Sequence, residues 1–464
     1  MKLIIPLMLF ILLFGCAQKE AAPNQNAVAY SPFSDGPLSF DAPSWPDADK
    51  EPGMSMARTN GTCMFVSASY PVASIMLRET LKESFKDSPF TEDGEYLDYT
   101  FMAGGKRYNG KSRIIYCDYT TYSLTMACTG PITETRPLDS AKCEKATPSA
   151  KPKLGIIANP KEDDPMNMVD AIREGRDNGA DVLYWYFTFD TYADNWTVPD
   201  FLMEPMSYEG KTAVTMSVIH TTVLGKYPPR YTSFDDPGFK EEFASRTAEF
   251  ARRYKPDYLF IGNEVDDYLW NRREKLPAFK ELLRYTREKV HEANPETEVG
   301  FTATYHDALT NNATDIIQTL AEDADLIGYT TYGYHGLFVF DNVSHGVEYL
   351  EGPESIVPGK PYAIVESGWS SSPMLSSSEE KQAEFAREFF AYLDDTDAEF
   401  VNWFALHDGK DCTDAAGSFL TDLPQVKEDA EFMAVFKEFL CKPGLKQSDG
   451  SPKEAWSIWQ DNTQ

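Results

Sequence analysis

Residues 258–264 read YLFIGNE: a short, continuously apolar run that ends abruptly on an amide and a carboxylate, with more acid following in the longer stretch YLFIGNEVDDYLW. A run of this length, with no alternation and no helical spacing, suits a strand buried on both faces. Seven further runs share its character: LGIIAN (154–159), DVLYWYFTFD (181–190), TAVTMSVIH (212–220), EVGFTATYH (298–306), DLIGYTTYG (325–333), YAIVESGW (362–369) and EFVNWFALHD (399–408). Between them lie segments with helical periodicity, among them MNMVDAIREGRDNGA, FKEEFASRTAEFARRYK, LPAFKELLRYTREKVHEANP and SSEEKQAEFAREFFAYLDD. Buried strands alternating with amphipathic helices predict a parallel sheet covered by crossover helices, and eight such units predict an α/β chain folded as a (β/α)8 TIM barrel. A doubly wound open sheet is the alternative, but no glycine-rich phosphate loop follows the first run. The second helix, expected within VPDFLMEPMSYEG, has the weakest pattern.

In such a barrel the chemistry belongs at the carboxyl ends of the strands. Those ends carry Trp185, Asp190, His220, Asn263, Glu264, His306, Tyr329, Tyr332, Glu366, Trp369, Trp403, His407 and Asp408. Glu264 closes the fourth run and Glu366 the seventh, and strands four and seven of an eight-stranded ring face each other. Two carboxyls across a cleft meet the requirement of glycoside hydrolysis, in which one protonates the leaving oxygen and the other attacks or supports the oxocarbenium-like carbon. Asp266 and Asp267 lie past the strand end and are expected to be solvated or to cap the next segment.

FIGNE followed by IVESGW resembles clan A of the retaining glycoside hydrolases, and the phrasing GNEV and ESGW is most similar to family 53, the endo-β-1,4-galactanases. The resemblance covers roughly residues 154 to 440. It implies a (β/α)8 enzyme with Glu264 as acid/base, Glu366 as nucleophile and Asn263 binding the sugar 2-hydroxyl. It further implies Tyr332, or Tyr329 one register away, as the hydrogen-bond partner of the nucleophile, and Trp403 as an aromatic floor. Trp369, Trp185, His306 and His220 join as candidate substrate contacts. The substrate so implied is a neutral β-linked polysaccharide, galactan or glucan, cleaved internally. No calcium-binding pattern of that family is recognisable, and no cofactor or metal is expected. A non-catalytic glycan-binding lipoprotein on the same scaffold is the competing reading.

The chain begins MKLIIPLMLFILLFGCAQKE, an apolar segment too short to span a bilayer as a helix and followed at once by Cys16. LFGC resembles the lipobox of bacterial lipoproteins, which implies a signal peptide over 1–15 and lipid attachment at Cys16. Ala17 in second place implies the outer membrane. Residues 16–50, rich in Ala, Pro, Ser and Asp, predict a solvated tether. A composition break at TPSAKPK (147–153) separates a region 51–147 from the barrel at 148–464. In the earlier region TCMFVSASY and RIIYCDYTTYSLTMACTG read as strands and VASIMLRETLKESFK as a helix, predicting a small α+β domain.

The cysteines after Cys16 fall into an early group, Cys63, Cys117, Cys128 and Cys143, and a late pair, Cys412 and Cys441. In an exported chain without CxxC spacing this predicts disulfides within each group, with three connectivities open to the early four. Acidic residues outnumber basic ones by 73 to 43, a formal net charge of −30. A field of that sign excludes nucleic acid as the natural partner and disfavours polyanionic glycans. A monomer is expected.

Overall fold

The computed structural model describes residues 30–35, 38–43, 54–59, 62–70, 74–85, 89–103, 106–117, 120–133, 135–143, 153–161, 165–413, 416 and 428–463. Cys16 and the signal segment lie outside them. Two compact units divide the chain between Thr147 and Pro148.

The first unit is a six-stranded antiparallel sheet in the order Met54–Thr59, Cys63–Tyr70, Thr120–Cys128, Lys106–Cys117, Tyr96–Ala103, Phe90–Asp93. Alternation along the strands gives each face its own core. Met64, Val66, Leu97 and Ile114 pack under helix Ser74–Ser84, which contributes Leu77 and Leu81. Phe65, Ile115, Leu124 and Met126 point the other way, against Leu38 and Phe40. Those last two residues correct the expected tether. Tyr30–Asp35 and Leu38–Pro43 form a hairpin paired to Lys142–Cys143, because the alternating LSFDA segment has apolar side chains to bury. The early cysteines pair as Cys63–Cys128, joining neighbouring strands, and Cys117–Cys143.

In the second unit all eight apolar runs become parallel strands: Leu154–Ile156, Val182–Thr188, Lys211–His220, Tyr258–Asn263, Glu298–Thr304, Leu326–Thr331, Tyr362–Ser367 and Val401–Trp403. They pair in chain order, and the first also pairs with the eighth, so the sheet closes into a barrel. Strands four, six and seven are buried at every residue, as a sheet covered on both faces requires. The barrel interior is filled by Tyr184, Tyr258, Phe260, Val182, Leu326 and Val365 among others. Each such apolar side chain contributes on the order of 1.5–3 kcal/mol by its burial.

Helices follow the strands, including Pro165–Asp177, Thr197–Ser207, Phe239–Tyr254, Leu276–Ala293, Thr314–Ala321, Val343–Glu351 and Glu379–Asp395. The weakly patterned second helix is Thr197–Ser207, which buries Leu202, Met203 and Met206. After strand eight, helix Ala430–Cys441 is fastened by the disulfide Cys412–Cys441. Among the described residues no helix is long and apolar enough to cross a membrane.

Candidate active site

Strand four delivers its polar pair by bending. Gly262 has φ of 80° and Glu264 φ of 50°, both left-handed. A Cβ on Gly262 would lie 2.5 Å from Val265 Cγ1, so glycine is required there on two counts. The bend turns Asn263 and Glu264 into a cavity of about 370 Å3 at the carboxyl ends of the strands. That volume falls within the roughly 300–1,000 Å3 of small-molecule sites. A non-glycine residue held left-handed stores strain, a recurrent feature of functional positions.

The Glu264 backbone N–H donates to Thr302 Oγ1 at 2.7 Å, and that hydroxyl donates to Asn263 Oδ1 at 3.1 Å. Asn263 is thereby fixed with its carbonyl occupied, leaving the amide NH2 to address a ligand. The Glu264 carboxylate accepts from the hydroxyls of Thr221, which follows strand three, and Thr330 on strand six (2.8 Å). Burial raises its pKa, the two hydroxyls draw it back, and the charge of Asp307 adds to the rise.

Glu366, 7% exposed, is held differently. Its Oε1 accepts from the phenol of Tyr186 on strand two and its Oε2 from that of Tyr332 at 2.7 Å. Burial first, and the charge of Glu264 second, push its pKa up to about 8, against the pull of the two phenols. Like charges facing one buried cavity disfavour double ionisation, so a single proton on the pair is the favoured state.

Around these carboxyls the cavity is lined by His220, Thr222, Thr304, His306, Asp307 and Tyr334, and by an apolar wall of Phe338, Phe404, Phe432, Phe436, Phe439 and Leu440. Burial lowers the His220 pKa to about 4, which leaves the ring neutral near pH 7, with Nδ1 3.0 Å from Ser217 Oγ. His306 Nδ1 stands 2.9 Å from Asp307 Oδ1.

The structure thus brings together Glu264, Glu366, Asn263, Tyr332, His220 and His306. It resolves the register choice, because Tyr332 reaches Glu366 while Tyr329 is buried away from the cavity. The three tryptophans do not reach the cavity. Trp403 is fully buried against Phe385 and Phe389, its indole N–H donating to Pro443 O at 3.1 Å. Trp369 lies between Phe340 and Phe385 and donates to Ser377 Oγ at 2.8 Å. Trp185 packs partly buried beside the central barrel cluster. Their chain neighbours Phe404 and Tyr186 line the cavity instead, since successive strand residues face opposite sides.

Asp266 and Asp267 also depart from the expectation of solvated or capping residues. Asp266, 1% exposed, accepts from the Thr304 N–H (2.8 Å) and hydroxyl (2.7 Å) and so ties strand four's end to strand five's. Burial raises its pKa to about 7. Asp267 lines the cavity, and burial also raises its pKa. Among the described residues no group of side chains is arranged to hold a metal ion.

No protein-family model matches the chain, and no curated protein matches it in sequence. Among solved structures it is similar to the GH5_18 protein of Streptomyces cattleya in complex with Manβ1-4GlcNAc, at 16% identity over 68% of this chain and 80% of that one, with a TM-score of 0.48. It is similar to a fungal β-1,4-galactanase at 11% identity, over 64% and 91% of the two chains, with a TM-score of 0.40. For xylanase 10B of Thermotoga maritima the values are 14%, 67%, 94% and 0.44. Likenesses at this level carry nothing about activity.

Proposed function

We propose that this chain is a retaining β-glycoside hydrolase acting on a neutral β-linked sugar. The observation that carries the reading is the pair Glu264 and Glu366, set at the ends of opposite strands, facing one cavity, and held by donors of different kinds. Phenols are the more acidic donors and pull Glu366 toward its ionised form, against the burial and the charge of Glu264 that raise its pKa to about 8. Threonine hydroxyls donate or accept, and so serve Glu264 in either protonation state.

In the first step a Glu366 oxygen forms a bond to the anomeric carbon while the bond from that carbon to the leaving oxygen breaks. The electron pair goes to the leaving oxygen, which takes the proton from Glu264. In the second step Glu264 removes a proton from water, the water oxygen bonds to the anomeric carbon, and the bond to Glu366 breaks, regenerating its carboxylate. The Asn263 NH2 is placed to hold the sugar hydroxyl next to the reacting carbon, an interaction that gains strength as charge develops there.

The net charge of −30 favours neutral sugars over uronates. Internal cleavage of galactan or glucan, by a monomer carried on the outer membrane through a lipid on Cys16, is the finer form of the proposal. A panel of p-nitrophenyl β-glycosides and β-glycans, with the product anomer followed by NMR, tests it. Turnover with retention, abolished in Glu366→Gln, is the expected result. Inverted product, or turnover that survives in Glu366→Gln, overturns the mechanism. Glycan binding without turnover by the intact pair would return the chain to the binding-protein reading.

A further inference from the structure

The last paired residues of strands four and five are Phe260 and Gly300. Beyond them the backbone ladder between the two stops, although strand four runs to Asn263 and strand five to Thr304. Two threonine side chains of strand five bridge the gap instead. Thr304 bonds Asp266, and Thr302 bonds both Asn263 and Glu264. From the other side the end of strand three grips the backbone of Asn263, whose carbonyl accepts from the Thr221 N–H at 2.9 Å. The backbone of Asn263 is thus held from strand three and its side chain from strand five.

The single proton of the Thr302 hydroxyl decides which end of the Asn263 amide faces the cavity. Thr302 is fully buried and stands behind the cavity, not on its lining. The Glu264 backbone N–H can only donate, so Thr302 Oγ1 receives it on a lone pair at 2.7 Å and keeps its own proton for another acceptor. Asn263 Oδ1 lies at 3.1 Å and the Gly262 carbonyl at 3.5 Å. With the amide turned over, that proton would be left to the Gly262 carbonyl, at the outer limit of a hydrogen bond. A buried donor without a good acceptor is costly, so Oδ1 stays inward and the NH2 faces outward. Asn263 is 3% exposed and lines the cavity, and among the described residues its NH2 makes no hydrogen bond.

We infer that Thr302 is a positioning residue for the reaction: without touching substrate, it turns the Asn263 amide so that the sugar must offer an acceptor oxygen on the carbon next to the reacting one. This rests on the glycosidase reading. A 2-hydroxyl meets the requirement, whereas a hydrogen or an ammonium group there has no lone pair to offer. The same threonine hydroxyl seats the backbone of Glu264, so one side chain on strand five governs both the placement of the acid and the reading of the neighbouring hydroxyl.

The test uses the full chain and the p-nitrophenyl β-glycosides of glucose, galactose and xylose, each with its 2-deoxy counterpart. The quantity read is the ratio of kcat/KM for a 2-hydroxy glycoside to that for its 2-deoxy partner, in which a general loss of structure cancels. Thr302→Val is expected to lower this ratio roughly tenfold or more, through kcat and not KM, because the contact strengthens in the transition state. Thr302→Ser keeps the hydroxyl and should hold the ratio within about threefold of the parent. An equal loss on both substrates, or a serine variant as poor as valine, overturns the inference. Because Thr302→Val can fail to fold, Asn263→Asp gives a second reading at the alkaline end of the pH profile, where the new side chain is a carboxylate. Its outward oxygen accepts where the amide donates, so the ratio should again fall roughly tenfold. A ratio that survives in Asn263→Asp means that a carbonyl faced the sugar, and the inference falls. Turnover with an unmoved ratio defeats the role of Thr302 alone, while absence of turnover on every glycoside defeats the enzyme reading on which it stands.

Discussion

Strands four and seven each carry a glutamate at their carboxyl end, just past the strand at Glu264 and next to last at Glu366, yet they present it by different means. Strand four bends through two left-handed residues and lays Glu264 among threonine hydroxyls. Strand seven stays paired through Ser367, with a shift of register against both neighbouring strands between Ile364 and Ser367, and sets Glu366 between two phenols. The same side chain thus acquires two proton affinities from its donors and its degree of burial. On the proposed reading the acid is Glu264, so the proton that burial favours on Glu366, whose pKa is pushed up to about 8, must pass to Glu264 before attack.

The largest expected effect separates the two ends by leaving group. Glu366→Gln should lower kcat on every substrate by roughly 10^4-fold or more, since no covalent intermediate forms. Glu264→Gln should cost roughly 10^2–10^4-fold on alkyl glycosides but little in the first step on p-nitrophenyl glycosides, whose leaving oxygen needs no proton. Equal losses on both substrates in both variants would erase the distinction.

Tyr332→Phe comes next. Losing a hydrogen bond to a charged group is worth about 1.5–3 kcal/mol, or roughly 10- to 150-fold in kcat. Because the missing phenol favoured ionised Glu366, the acid limb of the pH–rate profile should move to higher pH. An unmoved limb would reduce Tyr332 to packing.

A stability measurement probes the same end. Glu366 has an ordinary value of 4.5 and is pushed up to about 8 in the folded protein. The folded state therefore holds more protons between those values, and the stabilising contribution, complete below about 4.5, is lost as pH rises through about 8. Glu366→Gln removes that loss. The variant should be more stable than the parent at pH 8.5, by on the order of 2 kcal/mol, with the gap closing at pH 4.5 in urea titrations. The smallest effect belongs to strand four: Thr221→Val should cost about two- to tenfold in kcat and, by withdrawing a donor from ionised Glu264, move the basic limb upward instead.

Much of this was legible in the sequence, for a physical reason. Strands buried on both faces must be continuously apolar, so polar residues at their ends stand out, and YLFIGNE and YAIVES announced both carboxyls and Asn263. The tryptophans failed for an equally physical reason. Strand side chains alternate, and nothing in DVLYWYFTFD or EFVNWFALHD says which parity faces the axis, so a shift of one residue exchanges Trp185 for Tyr186 and Trp403 for Phe404. The 3.5 Å-per-residue logic of strands has no reach at all for Phe432, Phe436 and Phe439, which arrive from a helix about 30 residues beyond the last strand. Their spacing of four and three marked one helical face, but not what that face would meet.

The bond between Cys412 and Cys441 has a practical consequence for anyone producing the protein. It ties the end of the phenylalanine-bearing helix to the segment after strand eight across 29 residues of sequence, a closure worth roughly 3–4 kcal/mol in chain entropy. None of the eight ring strands contains a disulfide cysteine. Material from a reducing expression host would then pass as well folded by circular dichroism while presenting a loosened cavity wall, and binding or activity assays on such preparations would mislead without any visible defect in the fold.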